Sequence, residues 1–324
     1  MKYHQLLNRF LFFSLFFVVL VASVSFAQSV ATTGSIQGTA SSKDGAPLPG
    51  VTIKVSNLDT GLVRNLTTNE NGSYIARFLP LSNNYQLEAT LEGFSKLTQS
   101  GIKVALGSQL TINLTMELSS VQEVMVVTSE APIIEVGKSE YTTTISDEAI
   151  ATLPLNGRDY TDFVMLTPMS TISTERNGLS LSGARGINSN IMMDGADNNS
   201  AFFGEGRGGT RPPFTFSQSA VKEFQVINNG YSAQYGKAGG GIINAVTKSG
   251  SNTYHGSLWY FFRDDSFIGK DANDEEYDTF DQKQLGLTFS GPLIKDKLFM
   301  FLCYDSQRYE STQFSYLYAE QDTF

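Results

Sequence analysis

The sequence has few of the side chains that enzymes most often use for metal binding and nucleophilic catalysis. Its 324 residues include one cysteine, Cys303, and two histidines, His4 and His255. A single cysteine cannot form a disulfide within the chain, and two distant histidines predict neither a metal site nor a catalytic triad. The His-Glu-x-x-His spacing of zinc peptidases is absent. We therefore expect no enzymatic activity, no metal and no cofactor.

Positive charge and long apolar runs are also scarce. Lysine and arginine total 23 against 32 acidic residues, which gives a net charge of -9. A nucleic-acid partner is not expected, because such proteins present a basic surface to the phosphates. The one long apolar run is 10–26, so no helix after it is expected to cross a membrane.

That apolar run has the features of a secretory signal. Lys2 and Arg9 precede it, and Ser25-Phe26-Ala27 provides the small-x-small pattern of a cleavage site. We predict a signal peptide over residues 1–27, with cleavage after Ala27. The alternative is an uncleaved membrane anchor, because the run approaches the ~18 residues of a spanning helix.

Residues 33–118 have the pattern of an all-β domain. Apolar and polar residues alternate in 51–55 and over the long run 110–118, which is predicted to form one strand. Asp44-Gly45 and Asn71-Gly72 supply turns between such runs. About seven short strands in this length predict a two-sheet β-sandwich.

Several motifs in this segment resemble the carboxypeptidase regulatory-like domain. They are 45–51, Thr60-Gly61, 67–74, Leu79-Pro80, Tyr85 and Gly93-Phe94. The resemblance implies a prealbumin-like sandwich among the carbohydrate-binding-like folds, without peptidase activity. The family often has glycine in the turn before the tyrosine, and here Asn84 can supply a positive φ. Tyr74 and Tyr85 are interpreted as core residues, the alternative being an exposed sugar-binding face.

A short acidic-then-valine segment follows in the linker 119–130. It consists of Glu123, Val124, Met125, Val126, Val127 and Thr128. At the junction between a small β domain and a Gly/Asn-rich region, it resembles the TonB box of TonB-dependent receptors. The resemblance implies that an energy-transducing partner captures the segment as an added strand. An ordinary buried strand is the alternative.

Residues 131–250 resemble the plug of the same receptors, in their Oar-like branch. The resemblance covers 153–158 and the long glycine-containing run 231–250, and a Gly-rich loop spans 201–216. The capping pattern predicts a short helix over 145–154 and a second over 160–166. Arg185-Gly186 and Asp194-Gly195 match the plug's strand-and-turn elements. Ligand contact or an ion lock to the barrel wall is one interpretation of this set, and turn geometry with a buried pair is the other.

Residues 251–324 resemble the first barrel strands. Strands are predicted at 257–262, 284–290 and 298–304, with a turn over 291–297. The acidic stretch 264–281 is predicted to be an outward loop, with a cation site as a further hypothesis. A plugged transporter has about 22 strands of ~10 residues. We therefore expect the sheet to be incomplete and the chain to be an N-terminal fragment or a truncated product.

These inferences predict a mainly β protein: a prealbumin-like sandwich, an α+β plug, and the start of an incomplete antiparallel transmembrane β-barrel. The expected function is solute uptake as the front end of a TonB-dependent outer-membrane receptor. The expected partners are a TonB-type energy-transducing protein, outer-membrane lipid and an extracellular solute of unknown class. The first domain would then lie in the periplasm. A secreted or periplasmic carbohydrate-binding or adhesive module is the alternative.

Overall fold

The structure is a computed structural model with three β-rich units. It describes residues 30–119, 125–127, 140–153, 160–173, 178–200, 216–233, 235–267, 269 and 280–311. The units are a sandwich over 34–127, a central domain over 140–247 and a hairpin sheet over 255–311. The predicted signal peptide and most of the Gly-rich loop and the acidic stretch lie outside the described residues.

The sandwich contains nine strands in two sheets. They are β1 (Gly34–Ser42), β2 (Thr52–Asn57), β3 (Val63–Thr67), β4 (Ser73–Leu79), β5 (Ser82–Thr90), β6 (Leu97–Val104), β7 (Gln109–Thr111), β8 (Leu114–Met116) and β9 (Met125–Val127). One sheet has the order β4-β1-β7, and β8 also pairs with β1. The other has the order β3-β2-β5-β6-β9.

The alternating residues of both sheets meet in one apolar core. Ile36, Ile53, Leu79 and Leu87 are fully buried within it. Tyr74 and Tyr85 are buried as well, and their hydroxyls donate to the Ile112 and Pro80 carbonyls at 2.7 and 2.8 Å. The prediction that both tyrosines are core residues is therefore confirmed. Each buried hydroxyl has the partner that its burial requires.

The alternating run 110–118 does not form the single strand that we predicted. It divides into β7 and β8, which pair in parallel with successive parts of β1. The break lies at Ile112, whose carbonyl fits against Gly38 and accepts from Tyr74. Asn113 Oδ1 in turn accepts from the Thr39 amide at 3.1 Å. Contacts with distant residues override the local period of two.

Positive φ occurs at Phe78 and not at the position predicted from the turn pattern. The segment around Asn84 is already part of β5, which begins at Ser82. Phe78 has φ of 56° and lies where the pairing of β1 and β4 is irregular, between Gly34 and Ile36. A β-bulge at this point explains the unusual backbone conformation.

The central domain combines a five-stranded sheet with short helical segments. Its strands are β10 (Tyr141–Ile145), β11 (Ser170–Ser173), β12 (Gly178–Leu181), β13 (Ser189–Met193), β14 (Ala196–Asp197), β15 (Val221–Asn229) and β16 (Gly241–Thr247). The main sheet has the order β10-β15-β16-β13-β14, and β11 and β12 form a hairpin. Helix α1 is Asp147–Thr152, and 3-10 turns span Tyr160–Leu166, Gly186–Asn188 and Gln218–Ala220.

Local sequence explains the helical segments of this domain. Ser146 is the N-cap of α1, and its hydroxyl accepts from the Ala149 amide at 3.4 Å, as the capping pattern predicted. Ile150 is buried in the core that the 3-10 segment also enters. There the rings of Phe163 and Phe224 lie 5.9 Å apart. These contacts hold the helical segments against the sheet.

The hairpin sheet consists of three long antiparallel strands, β17 (His255–Asp264), β18 (Phe280–Ile294) and β19 (Leu298–Ser311). The strands are longer than predicted, and the predicted turn over 291–297 is shorter, because β18 continues to Ile294. Pro292 has no amide hydrogen to donate. It is tolerated in β18 because the pairing with β17 ends at Ser290, so no β17 carbonyl is left without a donor. The ring of Trp259 covers Gly286 opposite it, where a Cβ would lie 2.0 Å from Cζ2.

The two faces of the hairpin sheet differ in polarity. One face is apolar and exposed, and its residues are Leu258, Tyr260, Leu285, Leu287, Phe289, Leu302 and Tyr304. The other face includes the polar residues Ser257, Gln284, Thr288 and Asp305 together with the aromatic residues Trp259 and Phe261. This is the alternation of barrel strands with lipid outside and a polar interior. In the part of the chain that the structure describes, no helix is long and apolar enough to cross a membrane.

Candidate partner-binding site

The middle of the acidic-then-valine segment forms an edge strand of the sandwich. Met125–Val127 is β9, which pairs in parallel with β6. The paired positions are Leu97 with Met125, Thr98 with Val126 and Gln99 with Val127. Glu123, Val124 and Thr128 lie outside the described residues. Met125–Val127 is therefore extended and held by backbone pairing, the conformation that strand addition requires.

The chain arrives at this edge by a short path. After β8, Leu118 forms a β-bridge with Phe94, and the Ser119 amide donates to the Gly93 carbonyl at 3.0 Å. Ser119 thus lies just before the start of β6. Residues 120–124 connect it to Met125 beside Leu97. A connection of this length keeps the segment close to the β6 edge.

At its other end, β6 leads directly to the central domain. The Leu106 amide donates to Oε2 of Glu223 at 2.8 Å. The ammonium of Lys222 donates to the Leu81 carbonyl. Leu81, Leu106 and Val246 form a buried apolar cluster between the two units. The strand that pairs with β9 is thus continuous in sequence with the contact between sandwich and central domain.

A β-bulge explains how two consecutive charged residues come to lie at this contact. The pairing of β15 with β16 is irregular between Val221 and Glu223, so Lys222 is the additional residue. Burial is the largest influence on the pKa of Glu223 and raises it, while the Leu106 amide, Lys222 and Lys103 act in the opposite direction. Burial also disfavours the charged form of Lys222 and therefore lowers its pKa. We did not identify these residues from the sequence, although charged residues in an apolar strand are the signal for them.

Replacing Glu223 with glutamine is expected to stabilise the sandwich–central-domain contact at neutral pH. Because the pKa of Glu223 is raised in the folded protein, its contribution to stability is greatest at acid pH. That contribution is lost as the pH rises through the usual carboxyl value to the raised one. A neutral amide can accept from Leu106 without this loss. Thermal unfolding should show the advantage of Glu223→Gln growing as the pH rises above the usual carboxyl value.

The alanine variant at the same position is the control. Glu223→Ala leaves the Leu106 amide without its acceptor and should lower stability by about 1–3 kcal/mol. A glutamine variant whose advantage does not change with pH would contradict the pKa argument. Equal stability of the alanine variant and the parent would contradict the hydrogen bond.

The sandwich also contacts the hairpin sheet near the β18–β19 turn. The Asn252 amide donates to the Asp59 carbonyl at 2.8 Å. Asn252 and Asp296 exchange two hydrogen bonds of 2.7 and 2.9 Å. Gly61 leaves room for the Asp296 carboxylate, since a Cβ there would lie 2.3 Å from Oδ1. The sandwich therefore lies at the end of the hairpin sheet that carries the short turn.

The predicted turn residues of the central domain lie in two separate turns. Asp194 and Gly195 both have positive φ, and they link β13 to β14 as a two-residue hairpin turn. Both Asp194 carboxylate oxygens accept from Thr247, one from the amide and one from the hydroxyl, each at 2.9 Å. Arg185 is the N-cap of the 3-10 turn that Gly186 begins. Ligand contact or an ion lock by Arg185 or Asp194 stays a prediction.

Glycines of the run 231–250 pack closely against the turn that precedes Arg185. A Cβ on Gly240 would lie 2.5 Å from that of Ala184, and one on Gly241 would lie 2.7 Å from Leu181 Cδ1. The amides of Gly239 and Gly240 donate to the Asn188 carbonyl at 2.8 and 3.0 Å. The close backbone packing that the glycines suggested is present here.

Asp194→Ala is expected to destabilise the central domain by about 2 kcal/mol. Alanine loses both bonds to Thr247 and is poorly suited to a φ of 50°. Asp194→Asn keeps an acceptor and tolerates positive φ, so it should cost less than half as much. Denaturant unfolding of the two variants checks this order, and equal losses would contradict it.

The central domain also contacts the polar face of the hairpin sheet. The Ser217 hydroxyl donates to Asp305 Oδ2, on the face opposite the exposed apolar side chains. Ser217 is also the N-cap of the 3-10 turn before β15. Among the described residues there is no group of three or more His, Cys, Asp or Glu that could hold a metal ion. The acidic stretch lies largely outside those residues.

Two parts of the chain match known protein families. Residues 35–117 match the carboxypeptidase regulatory-like domain, and residues 246–320 match an outer membrane beta barrel domain. The chain is 26% identical over 297 residues to the TonB-dependent transporter Oar of Myxococcus xanthus, covering 87% of this chain and 27% of the relative. It is 28% identical over 194 residues to the probable TonB-dependent siderophore receptor PirA of Acinetobacter baumannii, covering 54% and 24%.

Two solved structures are similar in part. The siderophore receptor PirA of Pseudomonas aeruginosa aligns with 52% of this chain and 29% of its own, at 20% identity and a TM-score of 0.39. The outer membrane transporter YddB of Escherichia coli aligns with 52% and 26%, at 15% identity and a TM-score of 0.42.

These matches confirm the resemblance to Oar-like receptors over most of the chain and the expected outer-membrane location. The mainly β fold class is confirmed as well. The chain spans about a quarter of the length of the curated relatives that it matches. The first of these relatives is described as a transporter and the second as a probable receptor.

Proposed function

We propose that this chain supplies the periplasmic sandwich, partner segment, plug and first barrel strands of a TonB-dependent outer-membrane transporter. In this proposal the sandwich lies in the periplasm and the central domain is the plug. The segment Glu123–Thr128 is the TonB box, which a TonB-type protein captures by strand addition. The transporter takes up an extracellular solute when its partner pulls on the box and displaces the plug.

The observation that carries the proposal is the extended, edge-paired conformation of Met125–Val127 between the sandwich and the plug. Strand addition needs a backbone that is already extended and lies at an edge. The hairpin sheet supports the same function, because its apolar face is exposed and its polar face contacts Ser217 of the central domain. A barrel wall around a plug requires this arrangement.

Arg185 and Asp194 are kept as candidate contacts to ligand or barrel wall, in addition to their places in turns. A carbohydrate-binding role for the sandwich gains no support from Tyr74 and Tyr85, because both rings are buried and their hydroxyls are bonded to backbone carbonyls.

Titration of the chain with the purified periplasmic domain of a TonB-type protein from the same bacterium tests the proposal. Replacing residues 123–128 with glycine and serine should weaken binding by at least about tenfold, or 1.4 kcal/mol. The same replacement in residues 201–206 is the matched control and should leave the affinity unchanged. The proposal fails if the parent chain does not bind, or if both replacements have equal effects.

A further inference from the structure

We propose that the sandwich itself holds the TonB box on its β6 edge, so that the energy-transducing partner obtains the box only by displacing this internal strand pairing. The inference rests on the proposed function for the identity of the partner. The pairing is a property of the chain alone: Met125–Val127 occupies the edge of the five-stranded sheet beside Leu97–Gln99. The box would therefore pair as an added strand first with the sheet of the sandwich and then with the sheet of the energy-transducing partner.

The β6 edge is suited to hold an added strand. Strand β6 pairs with β5 on its other side, so its outer row of amides and carbonyls is available to β9 alone. An unpaired edge is prone to pair with other chains. Leu97, Thr98 and Gln99 are all buried in the folded chain, which shows that this part of β6 is not an open surface. The box therefore covers an edge that would otherwise be exposed in the periplasm.

The connection to Ser119 makes the internal pairing a strong competitor. Ser119 is anchored to Gly93 and Leu118 is bridged to Phe94, both just before β6. Residues 120–124 then tether the box next to its own edge. A short tether gives an effective concentration in the millimolar range, well above that of a partner protein in solution. The apparent affinity for the partner is then lower than the intrinsic affinity, in proportion to the unpaired fraction.

The internal pairing is also short enough to be exchanged. Among the described residues it covers three residue pairs in parallel, whereas β18 and β19 pair over most of their length. Once β9 leaves, β6 loses its outer neighbour, and the end of the same strand leads to the Leu106–Glu223 contact with the central domain. Capture of the box thus acts on a strand that is connected to the plug.

A register-specific disulfide tests the internal pairing in the full chain, in a Cys303→Ser background. Thr98→Cys with Val126→Cys places two thiols opposite each other on neighbouring strands, within the range of a disulfide. The matched control is Thr98→Cys with Val127→Cys, because consecutive residues of a strand place their side chains on opposite faces of the sheet. The first pair should cross-link on mild oxidation and the second should not.

Binding of the TonB-type periplasmic domain to the first pair then tests the exchange. The oxidised form should bind at least about tenfold more weakly than the same protein after reduction. A synthetic peptide of residues 120–130 should bind about tenfold more tightly than the parent chain, because it has no competing edge. Equal cross-linking of the two cysteine pairs, or equal binding by the oxidised and reduced forms, would overturn the inference.

Amide hydrogen exchange on the parent chain gives a test without substitutions. When the periplasmic domain is added, the amides of 97–99 that face β9 should lose protection, while the paired amides of 125–127 should keep it, because only the box changes partner. Unchanged protection of 97–99 in the complex would refute the exchange. If neither the chain nor the peptide binds the periplasmic domain, the proposed function fails, and the cross-link still decides whether the edge holds the box.

Discussion

In the synthetic peptide of residues 120–130, which has no competing β6 edge, replacing Val126 with proline should reduce the affinity for the TonB-type protein by about 10- to 150-fold. Proline removes an amide that strand addition needs, and its ring conflicts with a neighbouring strand. Loss of one such bond together with the steric conflict costs about 1.5–3 kcal/mol, which corresponds to that range of affinity. Val126 is the central residue of β9, so no neighbouring register restores the pairing.

The control for this prediction is Val126→Thr, which keeps both the amide and a β-branched side chain suited to a strand. Its affinity should lie within about threefold of the parent, a difference below 1 kcal/mol. In a full-length transporter, the proline variant should also lose uptake that depends on the partner. A proline variant that binds like the parent would show that the box is not recognised as a strand.

The second large effect is expected in the sandwich core, where Gly38→Ala should cost more than about 3 kcal/mol. A Cβ at position 38 would lie 1.8 Å from the Ile112 carbonyl oxygen and 2.6 Å from the carbonyl carbon. Both atoms belong to the backbone, so no side chain can move aside to relieve the overlap. The parallel pairing of β1 with β7 and β8 must separate, and the Tyr74 hydroxyl then loses its acceptor at Ile112.

Gly93→Ala is the matched control in the same domain. Gly93 has φ of 83°, and nothing lies within 4 Å of a Cβ built there. Its substitution tests backbone strain alone and should cost about 1 kcal/mol. Because three units unfold in one chain, the measurement is amide exchange of residues in β1 and β4 under increasing urea. Similar losses for the two variants would show that Gly38 is not constrained by Ile112.

Features that depend on neighbours in sequence were predictable in this chain. Ser146 forms a cap because its side chain reaches an amide three residues ahead. Asp194-Gly195 forms a turn because both residues tolerate positive φ. The aromatic run 257–262 predicted β17, although not its full length. In each case the interaction that decides the structure is local.

Features that depend on distant residues were not predictable in the same way. The strand break at Ile112 results from Gly38 and Tyr74, which lie far earlier in the chain. The contact between Leu106 and Glu223 joins residues 117 positions apart. It also depends on the bulge in the pairing of β15 with β16. The TonB box is predicted from its motif and its context. Its parallel pairing with β6 depends on the tertiary structure, because a local motif does not specify which sheet edge the segment pairs with.

A photo-cross-linking amino acid at position 126 of the full-length transporter, in living cells of the source bacterium, tests the central claim most directly. The proposed strand capture predicts one principal adduct, with the TonB-type protein. That adduct should be absent when residues 123–125 are replaced with glycine. The same probe at Val63, on the opposite edge of the sheet, is the control and should give no such adduct. Absence of the TonB-type adduct at position 126, or its equal formation at Val63, would contradict the account.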